Sequence, residues 1–281
     1  MLKWTIGDVT VTRVVDTVWP ISPRFLFDQL DRDTLAGIPW LKPHFVDDDG
    51  RMLLSIHALL IESEGRKIIV DTCLGNDKQD RFVEDWNLRK GDFLDQLASV
   101  GFARASIDTV LFTHMQVAHI GWNTMRGDGR WQPTFSNARY LYAKEEWAHN
   151  EAIDPPETEF VDSVKPVADA GLVELVEHTH AVTGEVCLEP TPGHTVGHVS
   201  VHIRSRGEEA VITGVMTHHP CQLTNPDWTS RVDFDREQSS RTRHDFYTRY
   251  ADRQVLIIGT HFATPTAGRI GRDGSAYRLD V

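Results

Sequence analysis

The chain has 281 residues, enough for one large α/β domain or two small ones and for a sizeable core in either case. Hydrophobic residues at 40% and charged residues at 25% exclude a disordered or fibrous chain. A formal net charge of −12 argues against nucleic-acid and anionic-membrane partners, whose phosphates repel an acidic surface.

The start, Met1-Leu2-Lys3-Trp4-Thr5, lacks a cationic segment followed by an apolar run, and no later stretch is long and apolar enough to span a bilayer. The expected location is therefore the cytoplasm. Cys73, Cys187 and Cys221 are too far apart for a CxxC signature or a disulfide framework, so reduced thiols are expected.

Trp4 to Val15 alternates as a strand with a Gly-Asp turn at its start, and Ser55 to Ile61 with Lys67 to Asp71 reads as a hairpin turning at Glu64-Gly65. Between them, residues 19–49 are rich in Pro and aromatics without a sustained period, which predicts a long loop acting as a lid or dimerisation element. Gly91 to Val100 has helical spacing and leads into a short strand, Ile107 to Thr113, that ends at a histidine. Tyr140 to Tyr142 predicts a strand, Lys144 to Asn150 a helix, and Thr158 to Ala170 a further helix stopped before Gly171. Leu172 to Val176, Val186 to Glu189, Val199 to Ile203 and Ala210 to Thr213 predict a second run of strands. Arg236 to Ala251 then reads as a helix and Val255 to Gly259 as the last buried strand. Two β-rich halves, each followed by helices and without a biased linker or repeat, predict a single domain over 1–281 with two facing sheets flanked by helices.

Four of the segments holding the 14 histidines follow predicted strands, where loops present functional groups. They are Thr113-His114-Met115-Gln116-Val117-Ala118-His119-Ile120-Gly121-Trp122-Asn123, Thr191-Pro192-Gly193-His194-Thr195-Val196-Gly197-His198, Thr213-Gly214-Val215-Met216-Thr217-His218-His219-Pro220, and Gly259-Thr260-His261-Phe262. In order, spacing and flanking residues this set resembles the metallo-β-lactamase-like hydrolases over essentially the whole chain. Val70-Asp71-Thr72-Cys73-Leu74-Gly75-Asn76 resembles the family's turn after the first hairpin, and Pro265-Thr266-Ala267-Gly268-Arg269-Ile270 the tail of its esterase and lactonase branch. The resemblance implies an αββα four-layer sandwich with two facing mixed sheets.

It also implies a first metal loop of the form His-x-His-x-Asp-His, at whose ligand places this chain has His114, Gln116, Ala118 and His119. The family's bridging aspartate follows a Thr-Gly pair, and after Thr213-Gly214 stands Val215. His194 and His261 remain as implied ligands, one for each metal position. Two divalent cations about 3.5 Å apart repel by roughly 20 kcal/mol at an effective dielectric near 20, which carboxylates normally offset. With both carboxylates replaced, the dinuclear centre is not expected. One divalent ion (zinc, iron or manganese) or none remains, held conditionally by His114, Gln116, His119, His194 and His261, with all four imidazoles converging if geometry allows.

A lone histidine is most often structural; four in family positions point to one pocket. His119 and His261 are the acid-base candidates, and Ala118, Val215, Trp122, His198 and Phe262 the expected substrate contacts, with His198 hydrogen-bonding behind the ligands. Trp19, Phe25, Phe27 and Trp40 either line the pocket or pack in the core or a dimer. Asp71 is expected to tie down a turn, Cys73 to pack, and His218 and His219 to be structural unless one serves as a substitute ligand. Cys221 reads as a small buried thiol and Arg269 as a surface ion-pair residue. The leading functional expectation is hydrolysis of an ester or lactone of a small, largely apolar or aromatic molecule by a protein that is monomeric or a homodimer. The alternatives are a metal-free acid-base enzyme catalysing elimination, isomerisation or decarboxylation, and a small-molecule or haem-binding relative without hydrolase activity.

Overall fold

A computed structural model describes residues 1–281. In chain order the strands are β1 (Lys3–Ile6), β2 (Val9–Ile21), β3 (Met52–Ser63), β4 (Arg66–Val70), β5 (Thr109–Leu111), β6 (Thr124–Gly127), β7 (Arg130–Pro133) and β8 (Arg139–Ala143). They continue as β9 (Val173–Val176), β10 (Val186–Pro190), β11 (Val199–Ser205), β12 (Glu208–Ile212), β13 (Val255–Ile258), β14 (Ala267–Asp273) and β15 (Ala276–Asp280). β1-β2-β3-β4-β5-β8-β9 form one sheet and β10-β11-β12-β13-β14-β15 a second, while β6 and β7 make a separate hairpin. Both large sheets are mixed: the β4–β5, β5–β8, β8–β9 and β12–β13 pairs are parallel.

The alternation of the strands explains the layering. Val9, Val11, Leu59, Ile61 and Ile68 of the first sheet meet Val199, Val201, Ile203, Ala210 and Ile212 of the second in one dry interior. The opposite face of the first sheet, with Ala58, Leu60, Ile69 and Val110, packs on the helix Phe93–Ser99 and on Val164 and Val167. Val211 and Ile257 of the second sheet pack on Phe246, Tyr247 and Tyr250 of the helix Arg236–Tyr250. Helix, sheet, sheet and helix thus stack as four layers.

Three sequence expectations change. Trp4 to Val15 is a hairpin turning at Gly7-Asp8, whose second strand runs on to Ile21. Val255 to Gly259 is not the last strand, because β14 and β15 follow it; their alternation is masked by exposed charges on an edge hairpin. Residues 19–49, expected as one long loop, hold short secondary structure of their own. They carry short helical turns at Pro23–Leu26, Arg32–Ala36 and Pro39–Leu41, and they bury Phe27, Leu30, Leu35, Leu41 and Phe45 against the second sheet's outer layer. Helical turns of one or two hydrogen bonds are stabilised by packing rather than by periodic sequence, so no pattern announces them.

The four histidine loops leave the ends of β5, β10, β12 and β13 along one edge of the sandwich. Backbone contacts join the sheets there: Ser55 N–H donates to the carbonyl of His261 at 2.9 Å. The turn after β4 lies directly on the first histidine loop, and a Cβ at Gly121 would stand 1.9 Å from the carbonyl oxygen of Leu74. Only glycine permits that approach.

Candidate active site

The sequence placed Asp71 in a turn, and its burial there gives it a second task. The residue adopts φ +57°, and its carboxylate accepts from Thr113 N–H at 2.9 Å, from Thr113 Oγ1–H at 2.8 Å and from His119 Nδ1–H at 2.9 Å. The carboxylate holds the histidine loop in place and takes Nδ1 of His119, which leaves Nε2 as the nitrogen turned away from Asp71. His114 is fixed in the same way by Thr113 Oγ1, 3.0 Å from its Nδ1, and His261 by the carbonyl oxygen of Ser55, 3.1 Å from its Nδ1. The rings of His261, His119, His114, His194 and His218 then form a continuous row, with successive centroids 5.0, 4.0, 4.9 and 4.7 Å apart.

This row borders a cavity of about 300 Å³. Gln116, His119, His194, His218 and His261 are its polar floor, while Ala118, Val117, Val215, Leu54 and Ile56 give it apolar sides. Trp19, Phe25, Phe82 and Trp86 form an aromatic wall in which Trp19 meets Phe25 and Trp86 edge-on at 5.0 and 4.9 Å. Glu157 and Glu159 reach the lining, and no Lys or Arg does. The segment bearing Phe82 and Trp86 is anchored through buried Lys78, which donates to Thr124 Oγ1 at 2.7 Å and lies 3.7 Å over the Trp131 ring, and through Arg81, whose single nitrogen Nη2 donates to Asp162 Oδ1 and Oδ2 at 2.9 and 2.7 Å. Burial pushes the Lys78 ammonium down to about 7 against the opposing pull of Asp162.

Of the expected substrate contacts, Ala118 and Val215 line the cavity, but Trp122, His198 and Phe262 do not. Trp122 stacks on Phe93 in the core, because the helical turn at Gly121–Asn123 rotates it away. His198 Nε2 accepts from Val215 N–H at 2.8 Å and its Nδ1 faces Thr191, so both ring nitrogens are spent on structure. Gly214, at φ +58°, makes room for that contact: a Cβ there would lie 2.5 Å from the His198 ring. Phe262 packs on Phe45 in the second sheet's outer core. Phe27 and Trp40 also belong to that core rather than to the cavity, and Arg269 is exposed on β14. His219 caps the turn Pro220–Leu223 and faces the carbonyl oxygen of Phe45. The Cys221 thiol is fully buried and pushed up by that burial, so it stays protonated.

Two participants were not legible beforehand. His57 lies buried behind His261, with Nδ1 2.9 Å from Ser55 Oγ. Asp233, in an aperiodic segment, stands 3.0 Å from His194 Nδ1, while the Gln116 side-chain amide takes His194 Nε2 at 2.9 Å. Burial alone would raise the Asp233 carboxyl; His194, His218 and Arg243 hold it below the ordinary range. Although Ala118 and Val215 line it, the pocket is not without anions, because Asp71 and Asp233 stand directly behind two of its histidines.

The fold and this row of histidines define the class: an αββα sandwich with its site at one edge of the sheets. The profile of the Metallo-beta-lactamase superfamily matches residues 51–272, and the chain belongs to that family. Among solved structures it is similar to AidC, a dizinc quorum-quenching lactonase, at 19% identity and TM-score 0.81, covering 99% of this chain and 96% of that one. It is also similar to the hydrolase AbOPH, at 22% identity and TM-score 0.80 with coverage of 99% and 96%. A probable metal-dependent hydrolase from Staphylococcus aureus matches at 22% identity and TM-score 0.74, with 98% of each chain covered. No curated protein matches the sequence.

The residues present do not fit the family's ion pair. Ala118 and Val215 offer no donor atoms, and Gln116 is turned onto His194 Nε2, the nitrogen a cavity ion would need. Nor do His114, His119, His194 and His261 converge as one ligand set: their donor atoms are not brought within 4.8 Å of one another. Convergence of the four imidazoles on one ion is conditional on geometry, and here each ring has its own anchor: Thr113 Oγ1, Asp71, Asp233 and the carbonyl of Ser55. Restoring Gln116→His, Ala118→Asp and Val215→Asp together is expected to raise metal uptake to two ions per chain, read by elemental analysis of the purified variant; unchanged uptake would contradict this assignment of positions.

Proposed function

We propose that this protein is a hydrolase for an ester or lactone of a small, uncharged, largely apolar or aromatic molecule, working with at most one divalent ion. The observation that carries the reading is the Asp71–His119 pair at the floor of an apolar cavity. With Nδ1–H committed to Asp71, His119 Nε2 is a lone pair facing the space a substrate would fill, the arrangement a general base requires. In the proposed reaction a water oxygen attacks the acyl carbon while its proton passes to His119 Nε2. Asp71 stabilises the imidazolium, which returns that proton to the departing alkoxide. His261, 5.0 Å from His119 between ring centres, is a second neutral acceptor beside the same space. Burial, then His119, pushes it down to about 3, which keeps it unprotonated at neutral pH. That the structural neighbours include lactonases supports the choice of reaction.

The test is a panel of aryl esters and lactones in neutral and carboxylate-bearing pairs. Because Glu157 and Glu159 are at the lining without a compensating cation, the neutral member of each pair is expected to have a kcat/KM roughly five- to tenfold higher. A consistent preference for the anionic members, or no turnover across the panel, would reject the reading. The two acceptors His119 and His261 beside one apolar cavity also suit the second reading, a non-hydrolytic acid-base step. Turnover in labelled water separates the two, because only hydrolysis places solvent oxygen in the product acid.

A further inference from the structure

His218 is the unspent group of the pocket. It is buried at 3% exposure, it lines the cavity, and neither of its ring nitrogens has a hydrogen-bond partner. A buried imidazole with two idle nitrogens carries an uncompensated desolvation cost, which a ligand atom at the ring would offset. Its loop is not loose, because Gln222 Oε1 accepts from His218 N–H at 2.8 Å and thereby fixes the ring beside His194. The Nε2 atom lies 4.0 Å from Asp233 Oδ1, too far for a hydrogen bond and close enough for both to touch a common third atom.

His194, His218 and Asp233 each offer one donor atom, and these atoms lie within 4.8 Å of one another. We propose that these three residues form a mononuclear binding site for a zinc-class divalent cation, displaced from the positions at which the family holds its ion pair. Only His194 is shared with the ligand places implied by the family motif. Donors on a tetrahedral zinc lie about 3.3 Å apart, given bonds near 2.0 Å. The observed 3.0 Å from Asp233 Oδ1 to His194 Nδ1 and 4.0 Å to His218 Nε2 bracket that spacing.

The donor set also has the right chemistry: two imidazoles and one carboxylate are nitrogen and oxygen donors of the kind zinc accepts. Asp233 is preorganised for it. Its Oδ2 accepts from Ser230 N–H at 2.8 Å and faces buried Arg243 at 3.8 Å, which leaves Oδ1 to the two histidines. Arg243 is itself drawn back by Ser239 Oγ and the carbonyl oxygens of Pro226 and Met216, so its charge is shared away from Oδ1. His194 Nδ1 would hold the ion in place of its present contact with Asp233, so binding would be accompanied by proton release where that nitrogen carries one. An ion at this place would lie behind His194, on the side of Asp233 and away from Gln116, and would act on the cavity only through the His194 ring. The site locates the single ion that the proposed hydrolase can accommodate, but its test contains no substrate, so the failure of one reading is distinguishable from the failure of the other.

The full chain, stripped of metal by a chelator, is titrated with zinc in a calorimeter and with cobalt(II) in a spectrophotometer. One equivalent is expected to bind, with the visible bands of a four-coordinate cobalt ion. His218→Ala removes no side-chain hydrogen bond of the folded protein and is expected to weaken uptake about 100-fold or more, at least what loss of an outer-shell partner costs. Asp233→Asn is expected to weaken it similarly, with the metal-free thermal melt of each variant serving as the check on folding. His119→Ala and His261→Ala are expected to keep the full equivalent and the unaltered cobalt spectrum. The absence of stoichiometric uptake, or uptake lost in His119→Ala and His261→Ala but kept in His218→Ala, would overturn the proposal and leave Asp233 as a purely structural partner of His194.

Discussion

Replacing His119 with alanine is expected to lower kcat/KM for a neutral ester or lactone by about 10²- to 10⁴-fold, the usual contribution of a positioned general base. The ring is buried, its neighbours Ala118 and Val215 are apolar, and His261 lacks the carboxylate partner that Asp71 gives His119. The change leaves a space the size of an imidazole at the cavity floor, so added imidazole is expected to restore part of the rate. Asp71→Asn provides the companion measurement. An asparagine can present an N–H towards His119 Nδ1, which favours the tautomer with its proton on Nε2 and so removes the acceptor from the cavity. A fall in kcat with little change in KM is expected. Full activity in His119→Ala, or loss of activity without any rescue by imidazole while folding is intact, would show that the proton goes elsewhere.

Acid is expected to unfold this protein far more readily than its many acidic residues alone would suggest. His57, His114, His198, His218, His219 and His261 are all buried and all pushed below the ordinary histidine value, in each case chiefly by desolvation. For His219 the value is about 4, with the carbonyl oxygen of Phe45 opposing the fall, and for His261 it is about 3. Between these values and an unfolded value near 6.5 the unfolded chain binds protons that the native chain refuses, so stability increases with pH there. Stability is therefore fully present above about pH 6.5 and is lost as pH falls towards 4, each histidine contributing up to about 1.4 kcal/mol per pH unit. A native state worth about 5 to 15 kcal/mol is exhausted when only a few of the six act together. Urea unfolding of metal-free protein at pH 8, 6.5 and 5 measures this; equal midpoints at the three values would show that these rings are charged or hydrated in the native state.

The strands that carry the site loops were legible because buried strands leave apolar runs: β3, β4, β11, β12 and β13 fall where the sequence put them, and the four histidine segments follow strand ends as expected. Residues 19–49 were not, because one-turn helices have no period of their own and take their order from the sheet beneath. The β14–β15 hairpin escaped for a related reason, since an edge pair with alternating charges looks like a polar tail.

Family membership, the order of the histidines and the presence of Ala118 and Val215 where the resemblance implies carboxylates are properties of the sequence, fixed by residue identity alone. The partners of those histidines are not. Asp71 lies 48 residues from His119, Asp233 lies 39 from His194, and Gln116 lies 78 from the same ring. Such pairs have no local signature, because a hydrogen bond depends on a few ångströms of separation that only the packing of the two sheets and their edge loops creates. Tertiary structure thus decided which histidine is paired with Asp71, which are sealed by the backbone, and that His218 stands with both nitrogens free beside a carboxylate.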